Sequence, residues 1–381
     1  MKIGIPKEIM EGETRVAVIP AMLTILSKGD NQVLVESHAG EGASFSDSEY
    51  EAAGAKIMKN ATDLYGQADL VIKLRAPQKN DAVGKHEVAM INEGSCLISS
   101  LPPRTHPQLL PLLVERKITA FGLEYIPRIT KAQSMDVLSS MATVSGYKSV
   151  LVAAYHLGKF FPLLMTAAGT VPPATVLVLG AGVAGLQAIA TAKRLGAKVE
   201  AFDPRPVVKE QVESLGGHFI SMETEENVET KGGYAKEQSE DFLRREQDAI
   251  AERLPKVDAV ISTAQIFGKR APILITAKMV QLMRAGSIII DLAVADGGNC
   301  ESAKSDEVVE AHGVTIFGST NIAASVPVHA SQMHSKNVTN LFKHVFSESE
   351  NGFDFDDEIV KGSCITHNGE IVNEMVKQNL K

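Results

Sequence analysis

The stretch TVLVLGAGVAG, residues 175–185, decides the fold. A continuous apolar run ends in three glycines, Gly180, Gly182 and Gly185, spaced G-x-G-x-x-G. Strands buried on both faces of a parallel sheet read as such unbroken runs. Gly180 permits the tight turn, Gly182 lets the backbone approach a pyrophosphate, and Gly185 lets the following helix pack closely on the strand. That helix, expected over Ala184–Leu195, offers free N–H groups and the positive end of its dipole to phosphates. The next apolar run, Lys198–Phe202, ends at Asp203, where a carboxylate accepts hydrogen bonds from ribose hydroxyls and repels a 2′-phosphate. NAD is therefore expected rather than NADP. Arg205 leaves the alternative open, because a nearby Arg can accept that phosphate. The expected dinucleotide contacts here are Gly180, Ala181, Gly182, Val183, Gly185, Asp203, Pro204 and Arg205.

Outward from this unit, apolar runs alternate with helical patterns along the chain. One series is Lys2–Ile5, Gln32–Glu36, Leu70–Leu74, Ser95–Ser99 and Ile118–Phe121; the other is Thr175–Leu179, Lys198–Phe202, Ala259–Thr263, Ser287–Leu292 and Val314–Gly318. Alternating βα units imply doubly wound sheets, and two series imply two Rossmann-like α/β lobes joined by long helices with a cleft between them. A proline-free helical stretch, Ser134–Phe161, leads out of the first lobe; Pro162 and the run Gly169–Pro173 lead into the second. Val328–Phe346 reads as a returning helix, and Cys364–Val372 as a hairpin about Asn368-Gly369 that belongs to the first lobe. The expected division is residues 1–136 with 326–381, and residues 137–325, the latter holding the dinucleotide. Ser221–Glu252 reads as a long polar loop, either functional or a solvated insertion.

Composition narrows the function. At 44% hydrophobic and 22% charged, 381 residues suffice for two or three cored domains. A net charge of −8 without a basic concentration argues against nucleic acid. Cys96, Cys300 and Cys364 are odd in number, far apart and without metal-ligand spacing, so a disulfide framework is not expected and a reducing compartment is. The chain opens on a strand-like run, so no signal peptide is expected. Apolar stretches such as Leu151–Ala154 and Ser287–Leu292 are far short of a membrane span, so membrane association is expected only through a partner.

A second candidate constellation is Arg128, Ile129, Gln133, Asp136 and Ser139, in the segment PRITKAQSMDVLSS. Arg can clamp a carboxylate or phosphate bidentately, and Gln can orient an amide or ribose. Asp136 and Ser139 are three apart and face the same side of a helix start. A plain capping pattern, with Ser134 as cap and Asp136 favouring the dipole, stands beside that reading. Arg15 is either a carboxylate binder or half of a surface ion pair. The ten histidines form no HExxH or zinc pattern, and His329 and His334 read as flanking a helix surface. No nucleophile elbow or Cys/His arrangement is present in the sequence, and no metal is expected.

These segments, KIGIPKEI with ETRVAVIP (residues 2–20), RITKAQSMDVLSSMATVSGY (128–147), LLMTAAGTVPPATVLVLGAGVAGLQAIATAKRLGA (163–197), KEQVESLGG (209–217), GGYAKE (232–237) and IIIDLAVADGGNC (288–300), resemble the alanine dehydrogenase/transhydrogenase family over nearly the whole chain. The resemblance implies two Rossmann-like lobes and a homodimer. AQSMD with LSS, and GGYAKE in a polar loop, look like the proton-translocating, Si/Re-specific NAD(P) transhydrogenase branch. The dehydrogenase branch uses a Lys and a His to bind and protonate a keto acid. Here Arg75 stands at the Lys position, the His position falls near Ser100 in SSLPP, and the GGNC segment carries Ala295 and Asp296 displaced before Gly297. Without that pair an amino-acid dehydrogenase lacks an evident proton donor. The resemblance implies that Arg128, Gln133, Asp136 and Ser139 hold the nicotinamide end of NAD(H), with Gln133, Arg128 and Asp136 at the reacting ring. It places Asp203 and Arg205 at the adenosine end, Gly233 and Tyr234 on a closing loop, and Ala264 and Gln265 beside the cofactor. The implied partners are an NADP(H)-binding component and a membrane-spanning component, with this chain cytoplasmic and peripheral on the inner membrane face. Departures from the family pattern are Gln265 and Phe267 in place of LIPG-like residues, Gln238 where Met is expected after the Tyr, SSLPP, and the run Asn321–Pro327. An alanine dehydrogenase-like enzyme and a non-enzymatic NAD-binding module are the competing expectations.

Overall fold

The computed structural model describes residues 1–102, 108–222, 239–266, 268–346 and 352–379. They form two compact units, Met1–Met141 with Ala324–Lys381, and Ala142–Ala323. The division falls at Met141, inside the helix Val137–His156, rather than at the start of that helix.

The sheet of the first unit runs in the order Glu370–Ile371, Cys364–His367, Thr119–Gly122, Cys96–Ser99, Leu70–Ile72, Lys2–Ile5, Gln32–Glu36, Lys56–Met58. All neighbours are parallel except the C-terminal hairpin, whose strand Cys364–His367 runs antiparallel to Thr119–Gly122. The hairpin turn uses Asn368 at φ 49° and Gly369 at φ 81°. Two consecutive positive φ values are what an Asn-Gly turn supplies. The interior is apolar on both faces, with Ile3, Ile5, Val33, Val35, Leu70 and Ile72 on one side and Leu34, Val71, Leu97 and Ala120 on the other.

The sheet of the second unit runs His218–Ile220, Lys198–Phe202, Thr175–Leu179, Ala259–Ser262, Ile288–Asp291, Val314–Gly318, Glu307–Ala311. Only its last pair is antiparallel. Strands Thr175–Leu179, Lys198–Phe202 and Val314–Gly318 have the bounds expected from the apolar runs. The edge strands Lys56–Met58, His218–Ile220 and Glu307–Ala311 were not expected; they are short or half-exposed and carry no continuous apolar run.

The helix expected over Ser134–Phe161 is a 3₁₀ turn, Thr130–Met135, followed by the α-helix Val137–His156. Asp136 breaks the path with ψ 91° and caps the helix itself, its Oδ1 accepting from the Ser139 N–H at 2.8 Å. Ser134 is not the cap; its carbonyl accepts from Asn337 and Asn340 at 2.8 and 3.1 Å. The run after Pro162 folds into a hairpin, Leu164–Thr166 with Gly169–Val171. Within the stretch expected to be a polar loop lies the helix Glu240–Ala251: Ser239 accepts from the Phe242 N–H at 3.2 Å, and Phe242, Glu246 and Ile250 turn inward. The apolar segments about Leu151–Ala154 join into the 20-residue helix Val137–His156, long and apolar enough by length and composition to cross a membrane. Its Val150 and Ala153 lie in the core of the second unit, and a Cβ at its Gly146 would strike the Ala184 carbonyl, so one face serves close packing.

Candidate functional site

In the second unit the parallel register aligns Leu179 with Phe202 and with Ser262. The residues that follow, Gly180, Asp203 and Thr263, therefore leave the sheet side by side at its C-terminal edge, where ligands of open α/β sheets bind. Gly180 has φ 91°, and its N–H donates to the Phe202 carbonyl at 2.8 Å. A Cβ on Gly185 would run into the Gly180 carbonyl oxygen, so the helix Val183–Arg194 can sit this close only through glycine. A Cβ on Gly182 would meet nothing within 4 Å. Gly182 is the N-cap of that helix and makes no side-chain capping bond, which leaves first-turn N–H groups for an anion. Lys193 and Arg194 sit in the last turn, where cations complement the dipole. This cradle fits a dinucleotide pyrophosphate.

Asp203 is buried, and its Oδ2 accepts from the Ala181 N–H at 2.7 Å. Arg205 folds back on the same carboxylate, Nη2 at 2.8 Å from Oδ2 and Nε at 2.9 Å from Oδ1. Pro204 between them is half-buried.

Two residues outside the sequence expectations shape the neighbouring loop. The Thr263 hydroxyl donates to the Gly180 carbonyl at 3.0 Å, tying that loop to the glycine turn. Asn299 embraces Ala264, accepting from its N–H at 2.9 Å and donating to its carbonyl at 2.8 Å, while also donating to the Pro272 carbonyl at 2.9 Å. Asn299 is itself placed by Asp291, which accepts from the N–H groups of Ala293, Asn299 and Cys300. Burial raises the Asp291 carboxyl, against those three hydrogen bonds. Gln265 beside this loop is exposed and makes long contacts of 3.4 Å to the Leu292 carbonyl and the Asp296 carboxylate. Gly233, Tyr234, Gln238 and Phe267 lie outside the described residues.

In the first unit Arg128 and Gln133 are exposed, and Ile129 packs partly against the core. Buried Ala132 and Met135 hold their turn from beneath. Asp136 and Ser139 bond each other, the Ser139 hydroxyl donating to Oδ2 at 2.6 Å. The C-terminal edge of this sheet is filled by ion pairs. Arg15 was expected either to bind a ligand or to form a surface pair; it is buried, and its Nε and Nη2 grip Glu13 at 2.7 and 2.6 Å. Arg75 reaches the same carboxylate at 2.8 Å. Burial raises the Glu13 carboxyl, but the hydrogen bonds and charges of Arg15 and Arg75 outweigh it and bring it down to about 2. Lys73 is buried between Glu8 at 3.3 Å and Glu87 at 2.9 Å, and Tyr65 donates to Glu87 at 2.6 Å. The Ser100 hydroxyl and the Leu101 N–H donate to Glu124, whose carboxyl burial pushes up.

His334 does not flank the helix surface. It is buried, because its helix Pro327–Phe346 turns that face into the first unit. Its Nδ1 lies 3.1 Å from the Ala17 carbonyl and therefore carries the proton, while burial lowers its pKa to about 4.

With this geometry, residues 4–145 match the model of the alanine dehydrogenase/PNT N-terminal domain and residues 149–374 that of the C-terminal domain. The chain belongs to the alanine dehydrogenase/PNT family. It is 48% identical over 377 residues to an NAD(P) transhydrogenase alpha-subunit chain of Rhodospirillum rubrum, covering 98% of both chains. It superimposes on the crystal structure of transhydrogenase from Sinorhizobium meliloti with TM-score 0.85 and 38% identity, over 98% of this chain and 100% of that one. An L-alanine dehydrogenase structure matches with TM-score 0.81 and 26% identity, over 100% and 99%. The two Rossmann-like parallel sheets are the fold of the family, and NAD(H) is its cofactor.

Proposed function

We propose that this chain is the NAD(H)-binding component of a proton-translocating transhydrogenase. It presents NADH for hydride transfer to NADP⁺ held on a partner component, and a membrane-spanning component couples that transfer to proton movement. The observation that carries the choice over a self-contained dehydrogenase is the state of Arg75 and Ser100. Arg75 is tied to buried Glu13 and Ser100 to Glu124, so neither position offers a proton donor to a keto acid. Transfer between two nicotinamides needs no such donor; it needs two rings held at near-attack distance with water excluded. The degree of likeness to the Rhodospirillum rubrum subunit supports the same choice.

In this proposal the N–H groups at Gly182–Gly185 bind the pyrophosphate, with Ala181 and Val183 lining the turn. Asp203 serves the adenosine ribose, with the Arg205 guanidinium bound to its carboxylate, and Ala264 and Gln265 form the loop beside the cofactor. Arg128, Gln133, Asp136 and Ser139 serve the nicotinamide end in this proposal: Asp136 with Ser139 fixes the helix start, and Gln133 and Arg128 are exposed side chains of the right chemistry for the ring. Bound NADH supplies the hydride. The chain acts as a homodimer in the cytoplasm, peripheral at the membrane through its partners.

The test is hydride exchange between NADH and an NAD analogue. It should run only when the NADP(H)-binding component is added, and no rate increase on that addition would sink the proposal. Turnover of pyruvate, ammonia and NADH by this chain alone would instead establish a dehydrogenase. Gln133→Ala should slow exchange far more than it weakens NADH binding; an equal loss in binding would make Gln133 an affinity contact.

A further inference from the structure

Asp203 is held by four donors. Oδ1 accepts from the Arg205 backbone N–H at 2.9 Å and from Arg205 Nε at 2.9 Å. Oδ2 accepts from the Ala181 N–H at 2.7 Å and from Arg205 Nη2 at 2.8 Å. A carboxylate offers about four acceptor positions, so this one has none to spare. The Asp203 side chain is 3% exposed and that of Arg205 12%, so solvent does little to loosen the pair.

A ribose diol that donates to Asp203 must displace one of these donors. The Ala181 and Arg205 N–H groups belong to the turns that follow two paired strands and cannot withdraw without unmaking them. The guanidinium rides on a flexible side chain and can. We infer that the Arg205 guanidinium masks Asp203 and must swing off the carboxylate before a nucleotide ribose engages it, so that Arg205 sets nucleotide selectivity by competition. This rests on the proposal that the glycine turn and Asp203 hold NAD(H).

Two opposite effects follow from one side chain. Masking costs NADH affinity, because a fork of charge-assisted hydrogen bonds is exchanged for hydroxyl contacts. Keeping the pair in place favours NADPH, because the 2′-phosphate then meets a carboxylate whose charge the guanidinium offsets. Arg205 therefore narrows the preference for NADH that Asp203 alone would impose.

Calorimetric titration of the full chain with NADH and with NADPH tests this, with thermal melting as the folding control. Arg205→Ala should bind NADH on the order of tenfold tighter and NADPH more weakly. Arg205→Gln, which keeps volume and one neutral donor, should move both affinities the same way by less, and it carries the test if the alanine variant does not fold. In an Asp203→Asn background, Arg205→Ala should leave NADH affinity unchanged. Weaker or unaltered NADH binding by folded Arg205→Ala overturns the inference and makes Arg205 a direct contact or a bystander. If wild type and every variant melt cooperatively yet none binds NADH, the NAD(H) assignment itself fails and the masking role falls with it.

Discussion

The two sheets share an order of parallel strands but treat their C-terminal edges in opposite ways. After Thr175–Leu179 the second unit places three glycines and an uncapped helix start, so backbone N–H groups and open space are left for a ligand. After Lys2–Ile5 the first unit places Glu8, Glu13 and Arg15, and after Leu70–Ile72 it places Lys73 and Arg75; these side chains occupy one another. One edge is kept open by the absence of side chains, and the other is closed by paired charges. A doubly wound topology makes a place where a ligand can bind; the residues after each strand decide whether it does.

Four substitutions test that contrast. Glu13→Ala leaves Arg15 buried without its counter-charge and should cost about 3–5 kcal/mol in urea denaturation. A cost below about 1 kcal/mol would mean that the ion pairs do not close the first edge.

Acid should act on the same region through His334, whose pKa falls from its ordinary 6.5 to about 4. The unfolded chain takes a proton as pH drops below 6.5 and the folded one refuses it until about 4. Stability is thus full above pH 6.5 and is lost between 6.5 and 4, by up to about 3 kcal/mol. Glu13, with its lowered pKa, contributes fully above pH 4.5 and loses that contribution as pH falls toward about 2. His334→Gln should flatten the upper of these two losses when denaturation at about pH 7 and about pH 4.5 is compared.

In the second unit Asn299→Ala strands the Ala264 N–H and two carbonyls. Denaturation should show a loss of about 1–3 kcal/mol, with weaker NADH binding as the loop loosens. Smallest in energy, and most telling for the open edge, is Gly182→Ala. Its Cβ meets nothing within 4 Å and its φ of −75° suits any residue, so melting should be unchanged. NADH affinity should nevertheless fall about tenfold, or about 1.4 kcal/mol, because the methyl occupies space the pyrophosphate needs. Unchanged NADH affinity would remove Gly182 from the site.

The open edge was legible in the sequence, because each of its elements is local. A run of apolar residues makes a buried strand wherever it is placed, and glycine spacing within six residues defines the turn. Asp203 was found as an acidic residue at the end of the next run, and the hairpin at Asn368-Gly369 from two residues alone. Asn299 and Thr263 were missed because a side chain that clamps a distant backbone leaves no spacing signal; Asn299 is 35 residues from Ala264. The capping reading of this segment, one of the two it allowed, places the cap at Ser134 where Asp136 fills it, since both residue types cap and only the backbone path separates them.

The two doubly wound sheets and the glycine cradle are written in local sequence, because strand burial and turn conformation are set by neighbouring residues. Which charges are spent on the protein itself follows from packing between distant segments. Glu13 is gripped by Arg15 and, across 62 residues, by Arg75, which occupies the arginine that sequence left open to a ligand. Arg205 closes on Asp203 only two residues away, yet that closure depends on both being walled off from water. Charged side chains reach in any direction, and only the packing around them fixes whether they face a partner in the chain or one outside it.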